Sequence, residues 1–279
     1  MTLPSLLVIG AMKCGSTSLH SYLDLHPEIQ MSDTKEINFF SIEENYKKGI
    51  SWYSTFFEEG FKYNGESSVS YSKKHAHSSV VSRIKENLNE DVKLIYIVRD
   101  PIDRFQSNFT DSKTYGHIPS SYSINEFVAQ PLEDNHLIKT SMYFYQIEDY
   151  LRNFDLKNFY FLKADDLKKN PQATMNALFE FLELQTVSIE KLDLNRSATK
   201  TYYSTKYLRI AQSPFLQGLK RLIPNKMMAS IKSSKALANV SKKKFNPALD
   251  IISEQNRVVL KNYLMDDMVK FEELTKIKF

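Results

Sequence analysis

Two glycines, a lysine and three hydroxyl side chains stand close together near the start of the chain. Gly10 and Gly15 frame the stretch GAMKCGSTS, with Lys13 between them and Ser16, Thr17 and Ser18 after them. Glycines let a loop bring its backbone N–H groups against a ligand, and a helix start adds free donors and positive dipole, so this place suits a phosphate. The spacing is that of a phosphate loop, G-x-x-x-x-G-K-[ST], with one change: Ser16 fills the lysine slot and the lysine comes earlier, at Lys13. Such a cradle takes a 5′-phosphate. Lys13 can then reach the bridging oxygen of a group being transferred. A second candidate clamp is Arg99 with Ser107, eight residues on, in RDPIDRFQS. A guanidinium and a hydroxyl together suit a phosphate.

The elements that must position these residues are legible. Leu6–Ile9 is a continuous apolar run leading into Gly10, and an amphipathic run begins near Ser16, which reads strand, loop, helix. VKLIYIV (92–98) is a β-branched run without alternation, as in a parallel strand buried on both faces; Asp100 suits the N-cap of the next helix and Pro101 its first turn. Short strands are expected at 28–31 and 159–162, and helices at 78–89, at 135–154 as one long helix, from Pro171, and at 250–271. The stretch 114–131 reads as a polar loop. The expected class is α/β, a P-loop-like three-layer α/β/α arrangement around a central, mostly parallel sheet, with the 279 residues as a single domain.

These motifs resemble the sulfotransferases that use 3′-phosphoadenosine-5′-phosphosulfate (PAPS). The likeness is greatest to the carbohydrate type, the heparan sulfate N- and 3-O-sulfotransferases, in the form of a soluble bacterial-type member. IGAMKCGSTSLHSYLDLHPEI is similar to their 5′-phosphosulfate loop, KEINFF (35–40) to a segment that follows it, and NYKKGISWYSTFF (45–57) to a third. The resemblance implies that Lys13, Cys14, Gly15, Ser16, Thr17 and Ser18 hold the 5′-phosphosulfate. It implies that Arg99 and Ser107 hold the 3′-phosphate, and that Lys242 and Lys244, in KKKFNP, belong to a late basic loop over the cofactor. Glu36 would be the general base that takes the acceptor's proton, and Lys13 would stabilise the departing phosphate oxygen. Ser67, Asn38 and Ser41 stand where 3-O-sulfotransferases have a lysine, a histidine and an aspartate near the acceptor, departures that weaken any carry-over of their acceptor specificity. The acceptor would be a carbohydrate, a glycolipid or a small alcohol.

Composition narrows the rest. One cysteine, Cys14, rules out an internal disulfide and fits a reducing compartment; its place in the loop suggests exposure to alkylation. The six histidines show no ligand spacing, so no metal is expected. A net charge of +4 is too small to argue for nucleic acid, but residues 194–249 hold twelve Lys or Arg and no Asp or Glu. Such a segment attracts an anion: the cofactor, a polyanionic acceptor or an anionic membrane surface. No stretch approaches a membrane span and no signal-like leader opens the sequence, so a cytoplasmic protein is expected. Two other readings fit less well. A nucleotide kinase or ATPase would have lysine at position 16, and a non-catalytic anion- or glycan-binding relative would not need Lys13 or Glu36.

Overall fold

The computed structural model describes residues 1–189 and 247–279, and in addition the backbone of Thr201–Tyr203 and Lys242–Lys244. The chain forms two compact units. The first comprises Met1–Phe105, Glu133–Leu194 and Lys261–Phe279, and the second Gln106–Leu132 and Asn195–Leu260.

The first unit is built on a five-stranded parallel sheet. Its strands are β1 (Leu6–Gly10), β2 (Ile29–Met31), β3 (Tyr63–Ser67), β4 (Lys93–Val98) and β5 (Phe159–Lys163), in the order β2-β3-β1-β4-β5. Leu6–Ile9 and Leu94–Val98 are fully buried, as expected of strands covered on both faces. The order reverses about β1, with β2 and β3 to one side and β4 and β5 to the other. Ligands of open α/β sheets bind at such a reversal, beyond the carboxyl ends of the strands. Helix α1 (Ser16–Leu23) follows β1 directly and buries Leu19, Tyr22 and Leu23. After the short α2 (Glu43–Tyr46) and α3 (Ile50–Ser54) comes α4 (Val80–Asn87), which buries Val80, Val81 and Ile84; α5 (Pro101–Thr114) follows β4. Each fully buried aliphatic side chain contributes roughly 2 kcal/mol. Asp100 caps α5 through Oδ1, which accepts the N–H groups of Ile102 and Asp103 at 2.9 and 2.8 Å.

The stretch 114–131 is not loop throughout: α6 (Ile124–Val128) lies within it. Its signal is the capping box Ser123-x-x-Glu126, formed in both directions. The single helix expected over 135–154 is two, α7 (His136–Lys139) and α8 (Tyr143–Asn153). Buried Arg104 is the cause. Its Nη2 donates to the Leu137 carbonyl at 2.6 Å, the acceptor a continuous helix would need, and its Nε donates to Ser141 Oγ at 2.8 Å. Ser141 Oγ in turn donates to the Pro101 carbonyl. Further on come α9 (Ala164–Lys169), α10 (Pro171–Phe181) and the long α11 (Glu254–Thr275).

In the second unit, Lys113 and Asp250 form a fully buried ion pair, and Asn125 binds the backbone of Ile251 and Ser253. The strands β6 (Thr201–Tyr203) and β7 (Lys242–Lys244) pair antiparallel.

Candidate active site

The loop after β1 is shaped by its backbone. A Cβ at Gly10 would collide with the Ser72 side chain and the Tyr96 ring, so only glycine lets β1 end there. The Ala11 N–H donates to Ile97 O at 2.7 Å, tying the loop to β4, and the Cys14 N–H donates to Ala11 O at 3.2 Å. Lys13 (φ 68°) and Gly15 (φ 91°) take left-handed conformations and turn the chain into α1. No side chain caps that helix and no acidic residue stands in its first turn. Its N-terminal N–H groups and dipole therefore favour an anion. Gly15 and Thr17 are exposed, Lys13 and Ser18 half-buried and Ser16 buried.

The KEINFF segment is pinned beside this cradle by Phe39 and Phe40, both buried. Phe39 stacks on Tyr53 with ring centroids 4.3 Å apart. Glu36, at φ 61°, donates its N–H to Ser67 O at 3.0 Å. Its Oε2 accepts the Val69 N–H at 3.1 Å, and its Oε1 accepts Lys35 Nζ at 2.9 Å. Lys35 Nζ also donates to Ser16 Oγ at 3.3 Å. Lys35 thus joins the candidate base to the cradle, a part the sequence reading did not assign to it. The Glu36 side chain remains 34% exposed, open to an incoming hydroxyl. His20 Nδ1 lies 2.9 Å from Ser67 Oγ, and burial with nearby Lys35 holds its pKa below the usual imidazole range.

Beneath that segment lies a carboxylate that the sequence reading passed over. Glu66 is fully buried on β3. The hydroxyls of Tyr53 and Tyr71 each donate to its Oε1 at 2.5 Å, and Ser68 Oγ donates to its Oε2 at 2.9 Å. Burial pushes its pKa up to about 7, against the opposing pull of those three hydrogen bonds.

Arg99 directly follows β4, half-buried, with Nη2 3.8 Å from Asp103. The Tyr143 hydroxyl fixes its backbone, donating to Arg99 O at 2.9 Å and accepting the Arg99 N–H at 3.4 Å. The same hydroxyl lies 3.4 Å from Cys14 Sγ, so one buried tyrosine joins the cradle to the Arg99 turn. The Cys14 thiol is buried, with its pKa raised by that burial, which corrects the expectation of an exposed, alkylatable thiol. The thiol faces the protein interior, beside Tyr143. Ser107 is half-buried on α5, in the second unit. The side chains of Lys242 and Lys244 lie outside the described residues. Among those described, no group of three His, Cys, Asp or Glu is placed to hold a metal ion, and no helix is long and apolar enough to cross a membrane.

A family model, the sulfotransferase domain, matches residues 3–244. The chain is 28% identical over 213 residues to heparan sulfate glucosamine 3-O-sulfotransferase 5 of Mus musculus, covering 74% of this chain and 60% of that protein. It is 27% identical over 211 residues to bifunctional heparan sulfate N-deacetylase/N-sulfotransferase 1 of Caenorhabditis briggsae, covering 68% of this chain and 24% of that one. The chain therefore spans less than two thirds of the length of these relatives. A solved sulfotransferase from Alicyclobacillus acidocaldarius shares the fold, with a TM-score of 0.69, 17% identity and coverage of 100% of this chain and 98% of that chain.

Proposed function

The chain belongs to the sulfotransferase domain family, and from that premise we propose that it transfers a sulfuryl group from PAPS to a hydroxyl or amine of a carbohydrate or glycolipid acceptor. The observation that carries this reading is the Lys35 ammonium, which bonds both Ser16 in the cradle and Glu36 beside it. An anion-binding helix start and a half-exposed carboxylate are thereby held in one fixed arrangement, as a transfer between two bound substrates requires.

The uncapped start of α1 fits a 5′-phosphosulfate, and the first-turn groups of Gly15, Ser16, Thr17 and Ser18 would hold it. Arg99 would hold the 3′-phosphate, together with Ser107 two turns along α5, and Lys242 and Lys244 would add positive charge. Glu36 takes the proton from the acceptor as its oxygen or nitrogen bonds to sulfur. The bond between sulfur and the phosphate oxygen breaks on the opposite side, and Lys13 stabilises the charge that gathers on that oxygen. The products are the sulfated acceptor and 3′,5′-adenosine bisphosphate. Positioning and fixed charge supply most of the rate in such a step.

The carbohydrate acceptor is supported by what the relatives' names say of those proteins. Contact of the basic segment 194–249 with an anionic membrane is supported by its charge, and a reducing, cytoplasmic compartment by the single cysteine. The reading is tested by calorimetric titration with 3′,5′-adenosine bisphosphate, ADP and ATP on wild type and Arg99→Ala. The bisphosphate is expected to bind best and to lose about tenfold or more in the variant, as for a lost charge-assisted phosphate contact. Equal or tighter binding of ATP overturns the reading in favour of a nucleotide kinase.

A further inference from the structure

Glu66 reaches the segment that carries Glu36 by two routes. Ser68 Oγ, which donates to Glu66 Oε2, also accepts the Asn38 N–H at 3.0 Å. The Tyr71 hydroxyl, which donates to Glu66 Oε1, also accepts the Phe40 N–H at 3.3 Å. Tyr53, the third donor, stacks on Phe39. The backbone N–H groups of Asn38 and Phe40 therefore hang on hydroxyls whose direction is set by one carboxylate, and Phe39 between them packs on the ring of a third donor to it. A hydroxyl has a single proton. With that proton committed to Glu66, the oxygen's lone pairs are turned toward the backbone donors. Glu36 stands two residues before Asn38, and the Asn38 Nδ2 donates to Glu36 O at 2.8 Å. Both residues are in the left-handed region, where a non-glycine backbone persists only when its surroundings over-determine it.

We propose that Glu66 is a positioning residue for the transfer reaction: through Ser68 and Tyr71 it orders the backbone of residues 36–40 and so aims the Glu36 carboxylate at the acceptor. The proposal rests on the reading of Glu36 as the base. Glu66 touches no substrate. Its role is to deny the base segment alternative conformations, which keeps the reacting atoms in line.

The groups that face Glu66 are Tyr53, Tyr71, Ser68, Tyr150 and the charge of Glu36. Gln at position 66 keeps an oxygen for both tyrosines and reverses the bond to Ser68, whose Oγ then accepts the amide N–H and retains a second lone pair for Asn38, whereas Leu keeps neither contact. The test compares wild type, Glu66→Gln, Glu66→Leu, Ser68→Ala and Glu36→Gln. Turnover is read with 35S-labelled PAPS and an unsulfated heparosan oligosaccharide as probe acceptor, bisphosphate affinity by calorimetry, and amide hydrogen exchange at Asn38 and Phe40 by NMR. Glu66→Leu is expected to lower kcat by about 30-fold, with bisphosphate Kd within about twofold, and to speed exchange at both amides. Glu66→Gln should stay within about threefold of wild type on every readout, and Ser68→Ala should speed exchange at Asn38 alone. If folded Glu66→Leu exchanges at the wild-type rate at both amides, or keeps wild-type kcat while Glu36→Gln loses about 100-fold or more, the positioning role falls and the base reading stands. A Glu36→Gln enzyme with wild-type kcat removes the base reading and this proposal with it.

Discussion

Glu66 makes the stability of this protein fall as pH rises through neutrality. Its folded pKa is about 7 against 4.5 for the free group, because burial penalises the charged form. The folded state therefore holds a proton that the unfolded state gives up between those values. A raised carboxylate works against folding once it must ionise: its contribution is most favourable below pH 4.5 and is lost as pH climbs through 7. At about 1.4 kcal/mol per unit, the shift amounts to about 3 kcal/mol, most of it falling between pH 5 and 8. Asp267, raised from 3.8 to about 6 by burial, acts in the same direction at lower pH, so the wild-type curve alone mixes the two. Glu66→Gln isolates one of them. Urea unfolding of wild type and variant, followed by tryptophan fluorescence at half-unit steps from pH 5 to 8, yields the difference directly. The variant should gain on wild type by about 2 kcal/mol across that range, most steeply below pH 7. A difference that stays flat would mean that Glu66 is ionised in the fold throughout, its three hydroxyl donors having outweighed burial.

Other consequences are open to simpler measurements. Asp267 accepts the N–H groups of Phe144 and Tyr145 at 3.1 and 2.7 Å and so caps α8 from a distant helix; Asp267→Ala should lower unfolding free energy by about 2 kcal/mol and Asp267→Asn by less than half of that. Cys14 is buried, so iodoacetamide should label the native protein at least about 100-fold more slowly than the urea-unfolded chain, as mass spectrometry would show. Replacing Tyr143 by Phe removes the hydroxyl shared by Arg99 and Cys14; the bisphosphate Kd should rise about fivefold, and an unchanged Kd would show that the Arg99 turn holds its place without it.

Patterns that are local in the chain were readable in it. Leu6–Ile9 and 92–98 announce buried parallel strands by hydrophobicity alone, and Asp100-Pro101 announces a helix start. What stayed hidden depends on partners far apart in sequence. The break between α7 and α8 is caused by Arg104, more than thirty residues earlier, competing for the Leu137 carbonyl. Nothing in 135–154 signals that competition. Glu66 reads as one more acid in a polar stretch until Tyr53 and Tyr71 close over it. Lys35 reads as the natural solvent partner of Glu36, which it is, and its second bond to Ser16 appears only when α1 and the KEINFF segment meet. The Cys14 thiol was misplaced because a loop residue is ordinarily exposed, whereas here Tyr143 receives it inside. The α6 capping box, by contrast, lay in plain sight in Ser123 and Glu126.

Backbone strain falls on Lys13, the residue proposed to stabilise the departing phosphate oxygen. Among the described residues five non-glycine positions have positive φ, and Lys13, Glu36 and Asn38 are three of them. A side chain at φ 68° carries a Cβ penalty of about 1 kcal/mol that glycine escapes. Nothing in chain geometry demands lysine there; glycine would serve the turn better. The residue is explained if its ammonium is worth more to the reaction than the strain costs the fold. Lys13→Gly and Lys13→Ala separate the two effects. Both remove the charge, and both should lower kcat by about 100-fold or more if Lys13 stabilises the departing oxygen. Only Lys13→Gly relieves the backbone, so it should exceed Lys13→Ala in unfolding free energy by about 1 kcal/mol. Equal stabilities would show that the turn is not strained. Equal turnover in wild type and Lys13→Gly would place the leaving-group charge on another cation, with Lys35, already bonded to Ser16 Oγ, the first to be replaced.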